Sequence, residues 1–525
     1  MNNAHYYTFL KSRNGETVPA VINQDGNALP LHSMIDPIRE AQRLVSATGK
    51  TDFVIFLGLG GGFAPLAALE LTNSNIVVID FGKDGIAELF ANSDYSKLLN
   101  NDRVSILIDL NEEEIKSFVI KNFTPALCGG IKTFPLRTRI EHDKLKFEKA
   151  AAAIQQAIEA VSGDYSVQSH FGLRWFSNII RNIKNTQTDS FFEERKENPV
   201  HEAAIVAAGP SLDTQLSFLA EFKSHNGFII CADTALGVLL QNNIAADAVV
   251  SIDCQHISYY HFMGVNLRGK KIPLILDIAS PPLLCGLSSF TPVFFSGGHP
   301  LTRYISAQWR HFPQLDTSGG NVTYAALSLA EKLGAKHITL FGADFSYIRS
   351  QTYARGTYIY PYFNRKQTRL SPMEAQMSAF FYRSPFLPNE DTQKKDYYET
   401  ASLRFYRKKL EEKAAVMDAE IKSEPGFGAP IKLNNTRKTA EVQRPAYKEN
   451  KATISGTAFL EQYRKDIAAL PVSGLNERER QIFTTILPAA AALKHRNMNN
   501  KSTAELIEAA KEYCIRQIDK ILRTN

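Results

Sequence analysis

The sequence predicts an α/β chain organised around a parallel sheet, and three observations carry that expectation. Six short apolar runs, AAIVAA, GFIICA, DAVVSI, PLILDI, PVFFS and HITLFG, alternate with helical stretches from Ala203 onward. Such alternation marks strands covered on both faces by crossover helices. An earlier segment repeats the pattern. TDFVIFLGLGGGFAPLAALE passes from strand through a glycine-rich turn into a helix, and NSNIVVIDFGKDGIAELF adds a second strand and helix. From about Asp396 apolar spacings of three and four dominate, in ASLRFYRKKLEEKAAVMDAEI and again from Thr457 to the end, which predicts helices. The expected order is a smaller Rossmann-like α/β domain over 1–140, linking helices over 141–200, a central Rossmann-like parallel-sheet domain over 201–395 and a helical domain over 396–525.

Length agrees with this division, because 525 residues at about 150 per domain give about three domains. Hydrophobic residues at 44% and charged residues at 22% are ordinary for a globular chain and exclude disordered, collagenous and coiled-coil classes. A net charge of +6 is too mild at this length to imply a nucleic-acid partner. The five cysteines, Cys128, Cys231, Cys254, Cys285 and Cys514, are scattered and odd in number, so neither a disulfide framework nor a zinc module is expected. The amino terminus lacks a basic segment followed by an apolar one, and eighteen apolar residues nowhere run together. The expectation is a cytoplasmic protein with no membrane span.

Between the two strand-rich segments, Glu141 to about Val161 and Gln168 to Lys184 read as two linking helices, and NTQTDSFFEERKENPVHE as a boundary. Within the last segment, PGFGAPIKLNNTRKTAEVQRPAY reads as a loop with room for one short extended piece.

The sharpest local signal is AIVAAGPSLD, Ala204 to Asp213, where a strand ends in Gly209, Pro210 and Ser211 and a helix begins. Strand carboxyl ends beside helix amino termini are where open α/β sheets hold anions. The same turn can equally be a plain capped strand-to-helix junction. The next two strands end in Asp233 and Asp253, which places three strand ends at one rim. These aspartates can accept from ribose hydroxyls, hold magnesium, or cap the following helices. Further on, Thr317, Ser318 and Gly319 precede a helix, and the strand HITLFG runs on to Asp344. Immediately after comes a basic, aromatic loop with Arg349, Arg355, Arg365, Lys366 and Arg369 and the tyrosines Tyr353, Tyr358, Tyr360 and Tyr362. Such a loop can neutralise a departing phosphate.

The ordered set of GPSLD, the strand-end aspartates, the SGGNV helix start and the L-x-G-x-D-F strand resembles the DUF115 family. That family includes the Maf motility-associated flagellin glycosyltransferases and has a central domain like that of the MptE diphosphokinase. The resemblance spans roughly Gln168 to Ser371, with HFGLRWFSNIIRNI similar to the family's aromatic lead-in helix. The central domain also resembles bacterial sialyltransferases that use CMP-activated nonulosonic acids. By that resemblance Gly209, Pro210, Ser211, Thr317, Ser318, Gly319 and Asp344 line a CMP site. Tyr347, displaced by one position, and Tyr353 bind the departing phosphate. Ala208, Asp233 and Asp253 stand where those enzymes carry asparagines, and no histidine occurs between His337 and His495 to serve as their base. His299, in FFSGGHP, is a geometric candidate.

The resemblance implies transfer of a nonulosonic acid from a CMP donor to Ser or Thr of flagellin, with no tightly bound cofactor and magnesium possible. Arg404, Arg407, Lys408 and Lys409, on one helix, are then placed to meet the protein acceptor. A diphosphokinase using Asp233, Asp253 and Asp344 to hold magnesium on ATP is the alternative, and a nucleotide-binding protein without a base is a third reading. The amino-terminal LGLGGG turn, with Asp80 ending the next strand, has the pattern of a nucleotide turn and equally that of close strand-to-helix packing.

Overall fold

The computed structural model describes residues 6–23, 25–46, 51–186, 191–267, 269–348, 351–388, 397–433, 454–471, 475–497 and 501–523. The chain folds into two compact units, Met1–His170 with Ala490–Leu506, and Phe171–Ala489 with Ile507–Asn525.

The first unit is built on a parallel sheet of β1 (Thr51–Leu57), β2 (Asn75–Asp80), β3 (Val104–Ile108) and β4 (Gly130–Pro135), in the lateral order β3-β2-β1-β4. The chain steps outward from β1 to β3 and then returns to the other side of β1, so the connectivity reverses between β1 and β4. Ile76, Val77, Val78 and Ile79 of β2 are all buried, as expected of a strand covered on both faces. A three-stranded antiparallel sheet, Tyr7–Lys11, Thr17–Ile22 and Ala28–Pro30, completes this unit's sheet structure among the described residues.

An arginine lies at its centre. Arg139 is fully buried, 2.9 Å from Asp80 and 2.5 Å from Asp143, with its guanidinium over the rings of Tyr6 and Phe147. Such a charge is tolerable only when its partners replace the lost water.

The second unit holds a seven-stranded sheet of β5 (Glu202–Val206), β6 (Phe228–Ala232), β7 (Ala248–Ser251), β8 (Ile272–Asp277), β9 (Phe290–Phe295), β10 (His337–Phe341) and β11 (Glu420–Ser423). All neighbours are parallel, in the order β9-β8-β7-β6-β5-β10-β11. The direction of travel reverses between β5 and β10, which makes their carboxyl ends the topological switch point. The α/β class is as the sequence reads it.

Three local features differ from the sequence reading. The two linking helices are one, Lys144–Asn182, because residues 162–167 contain no proline and their polar side chains simply face outward. Tyr397–Thr400 pairs with Tyr347–Ile348 and Phe386–Leu387, so the helical segment opens on a strand. β11 adds an edge strand to the central sheet from within that segment. It buries one residue of four, Ile421, so no alternation marks it in the sequence. Helices Gly456–Ala469, Glu477–Asn497 and Thr503–Leu522 form as expected. Among the described residues no helix is long and apolar enough to cross a membrane.

Removing Arg139 leaves Asp80 buried and uncompensated. Arg139→Met is expected to lower unfolding free energy by about 3–5 kcal/mol in urea titrations, whereas Lys97→Ala, which breaks an exposed pair with Glu70, costs about 1 kcal/mol or less.

Candidate functional site

The site is built at the carboxyl rim of the central sheet, where four strands end in or run on to aspartates. At the switch point, Asp344 follows β10 and reaches across to the turn after β5. Its Oδ2 accepts the Ser211 N–H at 2.8 Å. The helix start that the sequence offers to a phosphate is therefore already occupied by the protein's own Asp344 side chain. Gly209 is required here, because a Cβ would stand 2.4 Å from Asp344 Oδ2 and 2.4 Å from the Gly342 carbonyl oxygen. Burial pushes the Asp344 carboxyl up, against the opposing hydrogen bonds from Ser211.

A strap from the last segment covers this pair. The Phe427 N–H donates to Ser211 Oγ at 2.8 Å, and the Ala429 N–H donates to the Asp344 carbonyl at 3.0 Å. Gln215 holds the strap's entry through the Glu424 and Pro425 carbonyls. Gly428 fits because a Cβ would lie 2.6 Å from the Asp344 Cα. Ser211, Pro210 and Asp344 are thus buried, and Ser211 makes no side-chain cap.

Asp233 is also turned inward: Oδ1 accepts from the Thr234 N–H at 2.7 Å, and Oδ2 from Ser251 Oγ at 2.6 Å. Asp253 is only half-buried. It accepts from the Gln255 N–H at 2.9 Å, and burial, reinforced by the nearby Asp233 charge, pushes its carboxyl up. Among the described residues no three His, Cys, Asp or Glu side chains gather as a metal cluster, so the set of Asp233, Asp253 and Asp344 around one magnesium is not assembled.

The structure adds a fourth strand-end aspartate. Asp277, at the end of β8, is buried and lies 3.6 Å from His299 Nε2, while the His299 ring packs 4.5 Å from Trp175. Gly297 permits this approach, since a Cβ there would meet Asp277 Oδ2 at 2.1 Å. The sequence carried the signal in PLILDI, whose strand closes on Asp277 much as the strands ahead of Asp233 and Asp253 lead into theirs. His299 alone could not be separated from an ordinary loop histidine.

Thr317, half-buried, donates to the Gly297 carbonyl at 3.2 Å, which joins the hydroxyl-rich turn to this same corner. The following helix, Val322–Leu333, is capped by Asn321 rather than by the preceding hydroxyls. Ser318 stays exposed, 3.4 Å from the Tyr324 hydroxyl, and Gly319 lies against the Tyr324 ring. Tyr406, from the helix Ala401–Val416, reaches the turn at Gly320. No local sequence signal connects it there.

Tyr353 is half-buried, and the hydroxyls of Tyr347, Tyr358 and Tyr406 and the Asp233 carboxylate all lie within its electrostatic range. Burial pushes the Tyr353 hydroxyl well above its ordinary value, so it remains a proton donor at neutral pH. Tyr347 packs against Phe381 at 5.1 Å. Of the basic loop, Arg355 turns to Asp213, Lys366 sits over Tyr362, and Arg349 lies outside the described residues. Arg404 and Arg407 point inward and both bind Glu399, which corrects their expected role in acceptor contact.

In the first unit the glycine-rich turn is filled from within. The Leu59 N–H donates to Asp80, the Gly61 N–H to His32 Nε2 at 2.8 Å, and the Gly60 carbonyl accepts from Tyr95. Asp80, where a ribose-binding acid is expected, is sealed by Arg139. These contacts favour close packing over a dinucleotide cradle.

Residues 174–350 match the family model described as 6-hydroxymethylpterin diphosphokinase MptE-like, in accord with the resemblance read from the motifs. Two uncharacterized proteins of Treponema pallidum (strain Nichols) are similar. One is 36% identical over 148 residues, 27% of this chain and 51% of that protein. The other is 28% identical over 182 residues, 34% of this chain and 84% of that protein. The match thus spans about half the length of the first relative. The Maf glycosyltransferase of Magnetospirillum magneticum AMB-1 shares the fold, with a TM-score of 0.56 at 13% identity over 98% of this chain and 91% of that one.

Two outcomes follow from these contacts. Asp344→Ala leaves the buried Ser211 N–H without its acceptor and is expected to cost about 1–3 kcal/mol in urea unfolding, while exposed Ser318→Ala changes stability by about 0.5 kcal/mol or less. Burial pushes His32 down to about 4, so the unfolded chain takes up a proton below about 6.5 that the folded chain refuses until near 4. Stability is therefore lost as pH falls through that window. His32→Gln, whose amide oxygen still accepts the Gly61 N–H, is expected to reduce the drop in unfolding midpoint from pH 7 to pH 4; an equal drop contradicts it.

Proposed function

We propose that the chain is a glycosyltransferase that moves a nonulosonic acid, of the pseudaminic or legionaminic type, from its CMP donor to Ser or Thr of flagellin in the cytoplasm. The observation that carries this reading is the likeness to the Maf glycosyltransferase along 98% of the chain, rather than in the central sheet alone. The rim supplies groups suited to the chemistry. Thr317 and Ser318 offer hydroxyls to the nucleotide, and half-buried Asp253 accepts from its ribose or base.

In the transfer step the bond from the anomeric carbon to the phosphate oxygen breaks and its electron pair stays on CMP. Tyr353, with Tyr347 nearby, donates to that oxygen as charge grows there. The acceptor hydroxyl bonds to the anomeric carbon and gives its proton to His299, which Asp277 orients. Ser211 and Asp344 hold the rim in shape from beneath the strap.

A diphosphokinase reading draws on the description of the matching family. It requires Asp233, Asp253 and Asp344 around one magnesium, and both Asp233 and Asp344 are committed to inward partners.

Incubation with CMP-nonulosonic acids and flagellin, followed by intact-mass measurement, tests the proposal. Tyr353→Phe is expected to lower kcat/KM by about 10²-fold and His299→Ala by about 10²-fold or more. Undiminished transfer by both variants contradicts the assignments. Absence of transfer from any CMP donor, together with ATP-dependent diphosphate transfer, contradicts the function.

A further inference from the structure

We propose that the amino-terminal unit carries a binding site of its own, for a multiply charged organic phosphate of nucleotide size, and this does not rest on the transferase reading. Its place in the fold is the first reason. A cleft of about 1020 Å³ opens beside the carboxyl ends of β1 and β4, the two strands between which the connectivity of that sheet reverses. Open parallel sheets hold their ligands at this position. Half-buried Phe134, its ring stacked at 5.7 Å on the buried ring of its sheet neighbour Phe56, lines it and offers an apolar surface to a planar group.

The charge on the opposite wall is the second reason. Arg39 and Arg43, one turn apart on the helix Pro37–Ser46, and Arg137 line the cleft. All three are exposed, and among the described residues none of their guanidinium groups has a hydrogen-bond or ion-pair partner. The two carboxylates on the wall are engaged otherwise: Asp36 accepts the Arg39 N–H at 2.9 Å, and Glu40 the Ser33 N–H at 2.9 Å. His32 also lines the cleft. Because Nε2 accepts the Gly61 N–H, its neutral ring carries the proton on Nδ1 and presents one more donor. Three guanidinium forks fit the oxygens of a phosphate or diphosphate, each able to bind bidentately.

This mode differs from a dinucleotide turn. The Leu59 and Gly61 N–H groups and Asp80 are taken from within, so the ligand is held by side chains across the cleft and not by the glycine-rich backbone.

Calorimetric titration of the full chain at low salt with pyrophosphate, CMP and ATP tests the site, beside Arg39→Ala/Arg137→Ala, Arg43→Glu and Ser318→Ala. Pyrophosphate is expected to bind, to weaken by about tenfold or more in both arginine variants, to weaken with added salt and to be unaffected by Ser318→Ala. Tighter CMP or ATP binding that the arginine variants remove reports the planar group, and the part of CMP binding that Ser318→Ala removes belongs to the central sheet. No binding of pyrophosphate overturns the proposal, as does pyrophosphate binding that survives arginine replacement or is lost with Ser318→Ala. The replaced arginines are exposed and unpaired, so an unchanged thermal midpoint without ligand confirms that the variants fold.

Discussion

The Asp344 carboxylate accepting the Ser211 N–H is the constraint on which the rim of the central sheet depends. β5 and β10 are neighbours in the sheet, yet residues 207–336 separate them in the chain. Their exits diverge, one into the helix Leu212–Ser224 and the other into the turn before Tyr347. Hydrogen bonds join the two exits, from the Ser211 N–H to Asp344 Oδ2, from the Gly209 N–H to the Gly342 carbonyl and from the Gly342 N–H to Gln215 Oε1. The Asp344 bond also occupies a helix amino terminus that would otherwise attract an anion, and a buried N–H left without its acceptor costs enough for this bond to set local geometry. The glycines around it, Gly209, Gly342, Gly426 and Gly428, are small because backbone and carboxylate come within reach of where a Cβ would be.

With that position filled, the polar groups still open to solvent lie further along the rim. The groups left along the rim are Asp253, Thr317, Ser318, half-buried Tyr353 and His299 with buried Asp277 behind it, and Tyr406 arrives from the helix Ala401–Val416. The Tyr353 hydroxyl, raised further by burial, is a donor at neutral pH as an ordinary tyrosine is, and Asp277 lies 3.6 Å from the histidine. The two units then follow one plan in different ways. Each places a reversal of strand order beside a glycine-rich turn, and each fills the turn from within, by Asp344 in one and by Asp80, His32 and Tyr95 in the other.

Much of this was legible in the sequence. The parallel strands announced themselves as apolar runs because both their faces are covered, and spacing alone placed Ser211, Asp233, Asp253 and Asp344 at strand ends and Thr317 ahead of a helix. What spacing could not give is direction. Whether an aspartate at a strand end faces ligand or core depends on partners such as Ser251 or the strap at Phe427, which lie far away in the chain. β11 was invisible because one buried residue makes no pattern, and Tyr406 because helical periodicity says which face it occupies and not what that face meets. Arg404 and Arg407 read as facing an acceptor because their spacing does not show Glu399, which both of them bind.

Hydrogen exchange of the full chain with and without CMP tests the central claim most directly. The account predicts new protection over 316–321 and 351–358, with amides 209–213 protected equally in both states because Asp344 and the strap already hold them. New protection confined to 209–213 and 425–429 would contradict it, since the nucleotide would then be displacing the protein's own carboxylate.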